Sequence, residues 1–377
     1  MRFLHLADLH LGKRVNEFSM IEDQKYILKQ VLNIIDEHHV QSVLMAGDIY
    51  DKSVPSAEAV LLLNDFLTEL SKKGIQTFVI SGNHDSAERI GFGADIMSLA
   101  GIYMAKPYHG EMEKITVEDE YGDICIYMLP FVKPATVKHV YKEEEVATYD
   151  EAIAVVMEHT EIDTAKRNIL IAHQYVSGGD RCDSENISIG GIDEVSGKHF
   201  KAFDYVALGH LHGPQHVYSE NIRYAGTLLK YSFSEIKHHK NALLVDMGEK
   251  GDITYEEITI QPLHDMQEIK GTYDELTSKS FYEEMNTSDY FHVTLTDEED
   301  KINALELLRT IYPNIMKLDY DNRRTRQNRE VLVTEGVEEK SPTELFEEFY
   351  EMQNNVPMTE AQKDIIKELV EIIWEAD

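Results

Sequence analysis

Five apolar runs in this chain end in residues that can bind metals or transfer protons. The endings are Asp8 and His10 after "RFLHL", Asp48 and Asp51 after "SVLMAG", Asn83, His84 and Asp85 after "TFVISG", His173 after "NILIA", and His210 and His212 after "YVALG". A single H-x-H pair is weak evidence, because most such histidines make ordinary hydrogen bonds. Any one ending also fits a strand-end turn built from Gly, Asp, Asn and His. The five endings together, in this order and spacing, favour one shared site.

Seven of these residues carry atoms that suit divalent transition metals. They are Asp8, His10, Asp48, Asn83, His173, His210 and His212. Carboxylate and amide oxygens mixed with imidazoles suit Mn²⁺, Fe²⁺ or Zn²⁺ better than Ca²⁺. Seven ligands are too many for one ion and predict two bridged ions, with one oxygen of Asp48 facing each. Two metals about 3.5–4 Å apart can activate water and stabilise charge on a phosphoryl group.

The segments between the endings predict the elements that position them. Apolar residues recur at helical spacing in two segments, at Ile21, Ile27, Val31, Ile34 and Ile35, and at Val60, Leu63, Leu67 and Leu70. A further helix is possible at 150–160, before the fourth strand. Continuous apolar strands covered by helices indicate an α/β fold with a sheet buried on both faces. Ligands collect at the carboxyl ends of strands in such sheets, so we expect the five endings to meet at one edge.

The chain divides into three predicted parts. Residues 1–262 form the domain with the five endings, and residues 263–335 form a small α+β domain. In the second part, "MQEIK", "DYFHVTL" and "NIMKLDY" predict strands, and helical patterns span 273–285 and 298–311. The third part, 341–377, contains two segments, "SPTE" and "TEAQ", that each fit a helix capping box. Gly47, Gly82 and Gly209 each precede a candidate ligand and allow a tight turn off a strand.

Composition narrows the class of protein. The 377 residues include 36 basic and 69 acidic residues, for a net charge of −33, which argues against nonspecific affinity for nucleic acid. The N-terminus lacks the apolar core of a signal peptide, and no run approaches membrane-spanning length. Of the two cysteines, Cys125 lies in "ICIYMLP", which predicts a buried strand. A disulfide framework is therefore excluded, and we expect a cytoplasmic protein.

The five endings resemble the motifs of the calcineurin-like metallophosphoesterases, which are D-x-H, G-D-x-x-D, G-N-H-D, a lone His and G-H-x-H in this order. The resemblance implies an α/β fold of calcineurin-like sheet layers flanked by helices, with a small α+β capping domain and a C-terminal helical tail. It implies two divalent metal ions, with Mn²⁺ the expected ion. One ion would take Asp8, His10, Asp48 and His212, and the other would take Asp48, Asn83, His173 and His210.

The same resemblance implies that His84 is a catalytic residue and no ligand. It would contact the phosphate and protonate the leaving oxygen, with Asp51 orienting and charging its imidazole. Two positions separate this chain from the serine/threonine protein phosphatases of the family. Those enzymes have arginine where this chain has Lys52, and glutamate where it has Asp85.

The segments "HLADLHLGK", "GDIYD", "SGNHDS" and "SPTELFEEFYEMQ" are similar to the SbcD family of bacterial nuclease subunits. That resemblance covers nearly the whole chain and matches 265–335 in layout more than in motif. It implies metal-dependent cleavage of DNA, as a 3′-5′ exonuclease on duplex ends and an endonuclease on single strands and hairpins. It also implies an SbcC-like coiled-coil ATPase as partner and a homodimer of this subunit within a heterotetramer. The partner can supply much of the DNA-binding surface that an acidic chain lacks.

Local basic segments leave alternatives open. Lys13 and Arg14 either contact a phosphate or form a solvated surface pair. The cluster Arg323, Arg324, Arg326 and Arg329 either contacts DNA or an acidic partner or is a solvated loop. The loop "SGGDRCDSENISIGG" either shapes the DNA path or is a mobile surface loop.

The tail predicts two apolar stripes. One holds Leu345, Phe349 and Met352, and the other holds Ile365, Ile366, Leu369, Val370, Ile372 and Ile373. They either dock on the ATPase, as the resemblance implies, or pack on this chain's own core.

Three functions are compatible with the sequence. The first is the nuclease subunit, and the second is a phosphatase or phosphodiesterase acting on small phosphoesters. The third is a scaffold that keeps a metal-stabilised fold and acts through its tail. The His84–Asp51 pair argues against the scaffold, because a scaffold needs no general acid.

Overall fold

The structure is a computed structural model, and it describes residues 1–185, 193–299, 301–323, 325, 346–347, 350, 358–360, 362–363 and 365–366. The chain divides into two compact units. The first is Met1–Glu268 with Ser288–His292, and the second is Ile269–Thr287 with Val293–Asp377. The three-part division, with ends at residues 262 and 335 and a tail from 341, stays a prediction.

The first of two six-stranded sheets in unit one carries three of the five endings. Its strand order is Ile253–Thr259, Asn241–Met247, Arg2–Leu6, Ser42–Ala46, Gln76–Ile80 and Ile102–Met104. The four strands from Arg2–Leu6 onward in this order run parallel. Leu6 lies opposite Met45, and Ala46 lies opposite Ile80, so the three ligand-bearing strands end at the same level.

The second sheet carries the remaining two endings. Its order is Gln215–Val217, Ser219–Tyr224, Tyr205–Gly209, Arg167–His173, Gly122–Leu129 and Glu113–Asp119. Gly209 pairs with His173, so His210 follows directly beside the end of the neighbouring strand. Cys125 is buried in the strand Gly122–Leu129, as predicted.

The predicted sheet layers flanked by helices are confirmed. The narrower expectation that all five endings share one sheet edge is wrong, because three belong to the first sheet and two to the second. The cause is the packing of the sheets on each other. Apolar residues of both sheets, among them Phe3 and Phe78 from the first and Ile126 and Ile171 from the second, form one buried cluster. A strand buried between two layers has the same apolar sequence as one covered by helices.

The predicted helices are confirmed as Ile21–Glu37, Ala57–Lys72 and Tyr149–Glu158. Ser56 caps the second, since its side chain accepts a hydrogen bond from the Ala59 amide. Thr148 begins the third with a complete capping box. Each helix buries one apolar face, and each buried aliphatic side chain contributes about 1.5–3 kcal/mol.

The other short elements of unit one connect these layers. The short strands are Arg14–Val15, Phe18–Ser19, Tyr175–Val176 and Glu194–Val195. The short α-helices are Ala87–Ile90, Ala94–Met97 and Pro134–Val140, and the 3₁₀ turns are Ser98–Ala100, Gly197–Phe200 and Phe233–Glu235. Within the described part of the chain, no helix has the length and apolar character needed to span a membrane.

A third sheet has the three strands that the sequence predicts after residue 265. Its order is Met266–Gly271, Tyr290–Leu295 and Ile315–Tyr320. The two long helical patterns are shorter than predicted, as Tyr273–Leu276, Lys279–Tyr282 and Ala304–Leu308. Between the first two, the hydroxyls of Thr277 and Ser278 donate to the carbonyls of Tyr273 and Glu275. Such side-chain bonds compete with the main-chain bonds of a helix.

Most of the predicted tail stripes lie outside the described residues. Ile365 and Ile366 are described, and the side chain of Ile365 is exposed. Half of the "TEAQ" capping box is present, because Gln362 Oε1 accepts from the Thr359 amide at 2.9 Å. The "SPTE" box, and the stripe residues Leu345, Phe349, Met352, Leu369, Val370, Ile372 and Ile373, lie outside the described residues.

Candidate functional site

The seven predicted ligands come together where the two sheets end side by side. Six of them, Asp8, His10, Asp48, His173, His210 and His212, are buried, and Asn83 is half-buried. The loops that carry them are hydrogen-bonded to each other: the Asp8 amide donates to Gly47 O, and the His10 amide donates to Asp48 O. Their place in the fold is established, and their role as ligands stays a prediction.

The seven residues form two groups with Asp48 between them. In the first group, His10 Nε2 lies 3.2 Å from His212 Nε2, and Asp8 is close enough to share an ion with both. In the second group, Asn83 Oδ1 lies 3.0 Å from His173 Nε2 and 3.0 Å from His210 Nδ1. Asp48 Oδ2 lies 3.4 Å from His173 Nε2 and 3.8 Å from His10 Nε2. A single carboxylate oxygen therefore faces both groups, which differs from the expectation that one oxygen faces each ion, because Asp48 Oδ1 accepts a hydrogen bond from the His84 amide.

Backbone geometry at the site is strained. Four of the seven residues have positive φ: Asp8 at 53°, His10 at 45°, Asp48 at 47° and His210 at 110°. Such conformations cost of order 1–3 kcal/mol each and are found where surrounding structure enforces them, often at functional sites.

Glycine is required beside these residues because the two sheets approach closely. A Cβ on Gly209 would lie 2.0 Å from Ala46 O, and one on Gly47 would lie 2.5 Å from His173 Nδ1. Gly47 also has φ of 86°, which other residues rarely adopt. The tight turns inferred from the sequence are therefore also points of contact between the sheets.

The electrostatics of the cluster favour an added positive charge. Burial raises the pKa of Asp8 well above its usual range. Burial would also raise the pKa of Asp48, but the neighbouring His173 lowers it well below its usual range. Burial would lower the pKa of His173, yet Asp48 and Asp8 raise it to about 9. The two carboxylates thus draw a positive charge to the point where His173 Nε2 meets Asp48.

The ring nitrogens that face the cluster fit this requirement. His10 Nε2 lies 3.2 Å from His212 Nε2, and His173 Nε2 and His210 Nδ1 each lie 3.0 Å from Asn83 Oδ1. A divalent ion can be shared by neutral imidazole nitrogens and oxygens that lie this close together. The main-chain carbonyl of Ala46 accepts a hydrogen bond from His173 Nδ1–H at 2.7 Å, so Nε2 is the ring nitrogen that faces Asn83 and Asp48. Carboxylate, amide and imidazole atoms with these surroundings fit divalent transition metals.

His84 lies at the edge of the cluster. Its Nε2 is 4.0 Å from Asp48 Oδ2, and its amide donates to Asp48 Oδ1 at 2.8 Å. Its Nδ1 bonds to the main-chain carbonyl of Asp51 at 2.9 Å, which leaves Nε2 facing the cluster. The Nε2 atom of His84 therefore faces the predicted ligands.

The expected role of Asp51 stays a prediction, and its contacts differ from those that the role implies. Its carbonyl orients His84, whereas its carboxylate Oδ1 accepts from Lys13 Nζ at 2.9 Å. Lys13 also lies over the ring of Tyr231, 5.5 Å from the ring centre, so it is not a solvated surface residue. Arg14 is exposed and donates to the Glu17 carbonyl. The charge of the Asp51 carboxylate is therefore balanced by Lys13.

Asp85 has a structural role that the sequence did not reveal. Its carboxylate accepts hydrogen bonds from the amides of Ile49, Tyr50 and Gly82, at 2.9–3.0 Å. It thereby joins the loop that carries Asp48 to the loop that carries Asn83 and His84. Burial raises the pKa of Asp85 to about 6, with a further contribution from Asp48. Its position after "GNH" was the only sequence signal.

A second group of supporting residues was not predicted from the sequence. These residues contact His212 at its Nδ1 atom and its main chain, away from His10. Ser184 Oγ lies 2.7 Å from His212 Nδ1 and donates to Glu235 Oε1 at 2.6 Å. Lys240 Nζ donates to Glu235 Oε2 at 2.6 Å and to the His212 carbonyl at 2.9 Å. The side chains of Glu235 and Lys240 are 0% and 5% exposed. This network can hold His212 with Nε2 toward His10, a common arrangement for histidines that bind metals.

Ser184 belongs to the glycine-rich loop for which the sequence left two roles open. The described part of that loop also contributes Glu185, whose Oε1 accepts from the His212 amide at 2.6 Å. Residues 186–192 of the loop lie outside the described residues. Among the four arginines of the basic segment, Arg323 is described, is 87% exposed and lies 4.0 Å from Glu298. Arg324, Arg326 and Arg329 lie outside the described residues.

Comparison with known proteins places two family models on the chain. The calcineurin-like phosphoesterase model matches residues 1–214. A model described as the type 5 capsule protein repressor C-terminal domain matches residues 262–354. The chain is similar to the SbcD subunit of the nuclease SbcCD from Staphylococcus epidermidis, with 31% identity over 384 residues that cover 100% of both proteins.

Solved structures with a related arrangement include two distant ones. A dimetal phosphatase from Danio rerio has a TM-score of 0.39 and 11% identity, covering 70% of this chain and 98% of that chain. GAP50, described as the anchor in the inner membrane complex of Plasmodium, has a TM-score of 0.42 and 14% identity, covering 84% of this chain and 96% of that chain.

Proposed function

This chain belongs to the calcineurin-like phosphoesterases and, within them, to the SbcD family of nuclease subunits, and on that premise we propose that it is the metal-dependent nuclease subunit of a DNA-processing complex. The observation that carries the proposal is the convergence of seven side chains of metal-binding types with His84 beside them. The chain is also similar over its full length to a nuclease subunit. The reaction is hydrolysis of a DNA phosphodiester.

The chain's own residues would hold two divalent ions, with Mn²⁺ as the proposed ion. Asp8, His10, Asp48 and His212 form the first ligand set, and Asp48, Asn83, His173 and His210 form the second. The position of Asp48 Oδ2 near both His173 and His10 supports its role as the bridge. When bound, two such ions supply a nucleophile at neutral pH and stabilise the charge that develops on the phosphoryl group.

His84 supplies the proton in this proposal. The bond from its Nδ1–H to the Asp51 carbonyl fixes the ring so that Nε2 faces the cluster. A protonated Nε2 there can contact the phosphate and then protonate the leaving oxygen. Asp51 acts as a positioning residue through its main chain, and its carboxylate holds Lys13 near the site.

A nuclease must bind DNA, and the negative net charge of this chain does not favour that binding. The net charge of −33 opposes binding to a polyanion. The metals and a partner can offset this charge, and the relative is named as one subunit of a two-part complex. We propose an SbcC-like coiled-coil ATPase as the partner, held through residues 341–377. The activities proposed are 3′-5′ exonuclease action on duplex ends and endonuclease action on single strands and hairpins, in DNA replication, recombination and repair.

The assembly proposed is a homodimer of this subunit within a heterotetramer. Three large apolar side chains within one short segment support a protein contact: Phe92 is 85% exposed, Ile96 is 74% exposed and Leu99 is 89% exposed. Exposed apolar groups of this kind mark interaction sites on soluble proteins. A cytoplasmic setting is proposed as well, and the two free cysteines, Cys125 and Cys182, support it.

The proposal is tested by a cleavage assay on hairpin DNA with and without the ATPase, in Mn²⁺, Mg²⁺ and Zn²⁺. The same preparations are assayed on p-nitrophenyl phosphate, a simple aryl phosphate. We expect metal-dependent cleavage of the hairpin that the ATPase stimulates, and poor turnover of the aryl phosphate. Efficient turnover of the aryl phosphate without DNA cleavage would instead favour an enzyme of small phosphoesters. Inactivity on both substrates would favour the scaffold.

A further inference from the structure

A cavity of about 190 Å³ opens beside the second ligand group. Asn83 and His210, both in that group, form part of its lining, and three aromatic residues, Phe131, Tyr149 and Tyr175, form another part. We call this space the aromatic cavity. Neither the family's ligand motifs nor the proposed proton transfer uses these three rings.

The aromatic rings that line the cavity contact one another or the rings of neighbouring histidines. The centres of Phe131 and Tyr149 are 5.9 Å apart, with their planes at 38°. Phe131 also contacts the ring of His173, and Tyr175 contacts the ring of His210. The guanidinium of Arg181 covers Tyr175 at 4.1 Å from the ring centre. Phe131 and Tyr149 are half-buried, so they retain accessible ring surface, whereas Tyr175 is buried.

One polar side chain of the lining, that of Gln174, can accept a hydrogen bond from a bound molecule. Gln174 is fully buried, and its Nε2 donates weakly to the Val132 carbonyl at 3.4 Å. Its Oε1 accepts no hydrogen bond from the residues that the structure describes. A buried carbonyl oxygen without a donor is unfavourable unless a bound group supplies one. The charged residues of the lining are Lys133, which is exposed, and Asp193, so the cavity wall carries one basic and one acidic side chain.

We propose that the aromatic cavity receives the nucleobase of the nucleotide whose phosphate is cleaved, a proposal that rests on the nuclease function above. The ring surfaces of Phe131 and Tyr149 stack on the base, and Gln174 Oε1 accepts from one of its N–H groups. Because Asn83 and His210 line both the cavity and the ligand cluster, a phosphate at the metals leaves its own nucleoside next to the cavity.

Stacking would allow the aromatic cavity to accept any of the four bases. Every base offers a π face, so aromatic walls bind all four without reading their edges. Base–aromatic stacking is strong enough that loss of one ring weakens binding by about tenfold. A small phosphoester without a base would gain nothing from these rings.

Two matched substrates test the proposal. One is the p-nitrophenyl ester of thymidine monophosphate, and the other is methyl p-nitrophenyl phosphate. They share the leaving group and the reaction at the metals, and they differ only in the nucleoside. The measured quantity is the ratio of their kcat/KM values in Mn²⁺, which we expect to favour the thymidine ester clearly.

The variants separate an aromatic role from a merely structural one. Tyr149→Leu and Phe131→Leu should each lower the ratio by about tenfold, mainly through the KM of the thymidine ester. Tyr149→Phe, which keeps the ring, should retain it. Tyr121→Leu, at an exposed tyrosine outside the cavity, is the matched control and should also retain it. Thermal unfolding of each variant shows whether it is folded.

A second measurement does not depend on turnover. A DNA hairpin with 2-aminopurine at its terminal nucleotide should lose fluorescence on binding in Ca²⁺, and Tyr149→Leu should reduce that loss. An unchanged ester ratio and unchanged quenching in the leucine variants would overturn the cavity's role while leaving the nuclease intact. Inactivity of the wild type on both esters and on hairpin DNA would instead overturn the proposed function itself.

Discussion

The side-chain oxygen of Asn83 lies 3.0 Å from Nε2 of His173. Asn83 follows a strand of the first sheet, and His173 ends a strand of the second. The site therefore forms only where the two sheets pack together. The distance between Asn83 and His173 depends on the apolar cluster between the sheets. The expected behaviour of individual variants follows from this arrangement.

Asp48→Ala should lose metal and activity together. Asp48 Oδ2 faces both ligand groups, and Asp48 Oδ1 also accepts from the His84 amide. We expect Mn²⁺ affinity to fall by more than about 100-fold, beyond the effect of a residue that only supports a ligand. Isothermal calorimetry with Mn²⁺ measures this, and Asp95→Ala, at an exposed carboxylate paired with Lys106, is the control. Two tightly held ions in Asp48→Ala would refute the bridging role.

Asp51→Ala should be much milder than loss of His84. The substitution keeps the main-chain carbonyl that accepts from His84 and removes only the carboxylate paired with Lys13. We expect kcat for hairpin cleavage to fall by no more than about tenfold, against the ~10²–10⁴-fold typical of a lost general acid. Steady-state kinetics decide the matter. A loss as large as that of His84→Ala would mean that the carboxylate itself charges the imidazole.

Ser184→Ala should weaken metal binding without removing a ligand. The change breaks the link between His212 Nδ1 and the buried Glu235–Lys240 pair. Loss of such a supporting bond typically costs 10–100-fold in metal affinity or activity. Calorimetry with Mn²⁺ measures the change, and Ser184→Thr should restore most of it. Ser219→Ala, which removes a hydroxyl bonded to Asn221, is the control. Equal affinities in Ser184→Ala and the control would contradict the supporting role.

Deletion of residues 341–377 should separate partner binding from chemistry. In the described part of the tail, Lys363 pairs with Glu347 at 3.0 Å and Gln362 donates to Tyr350 at 3.0 Å, so two tail segments contact each other. We expect a folded protein that keeps its metals and weak nuclease activity but captures little ATPase in a pull-down. Full capture by the truncated protein would defeat the proposal. Failure to fold would mean that the stripes pack on this chain's own core.

Much of the site was predictable from the sequence. Residue types that bind metals, and the apolar runs that form strands, can both be recognised in short segments of the chain. Asp8, His10 and Asp48 directly follow apolar runs, and the period of the helices is visible in Ile27, Val31 and their neighbours. The division of the strands between two sheets was not predictable in this way. A strand covered by a second sheet and a strand covered by a helix bury equally apolar residues.

The supporting residues were missed for a related reason. Ser184 and Glu235 are 51 positions apart and lie in segments without a helical or strand period. Their contact with His212 depends on tertiary packing, which a local pattern does not encode. The contact between Asp51 and His84 was not predictable in detail, because a sequence does not show whether the main chain or the side chain of a residue makes the bond.

The most direct test of the two-metal, acid-assisted mechanism is a paired measurement on His84→Ala: bound Mn²⁺ per chain and cleavage of hairpin DNA. The seven proposed ligands are all still present in this variant, so we expect two ions per chain, as in the wild type. Without a proton donor for the leaving oxygen, we expect cleavage to fall by ~10²–10⁴-fold. A variant with normal cleavage, or one that has lost an ion, would contradict the account.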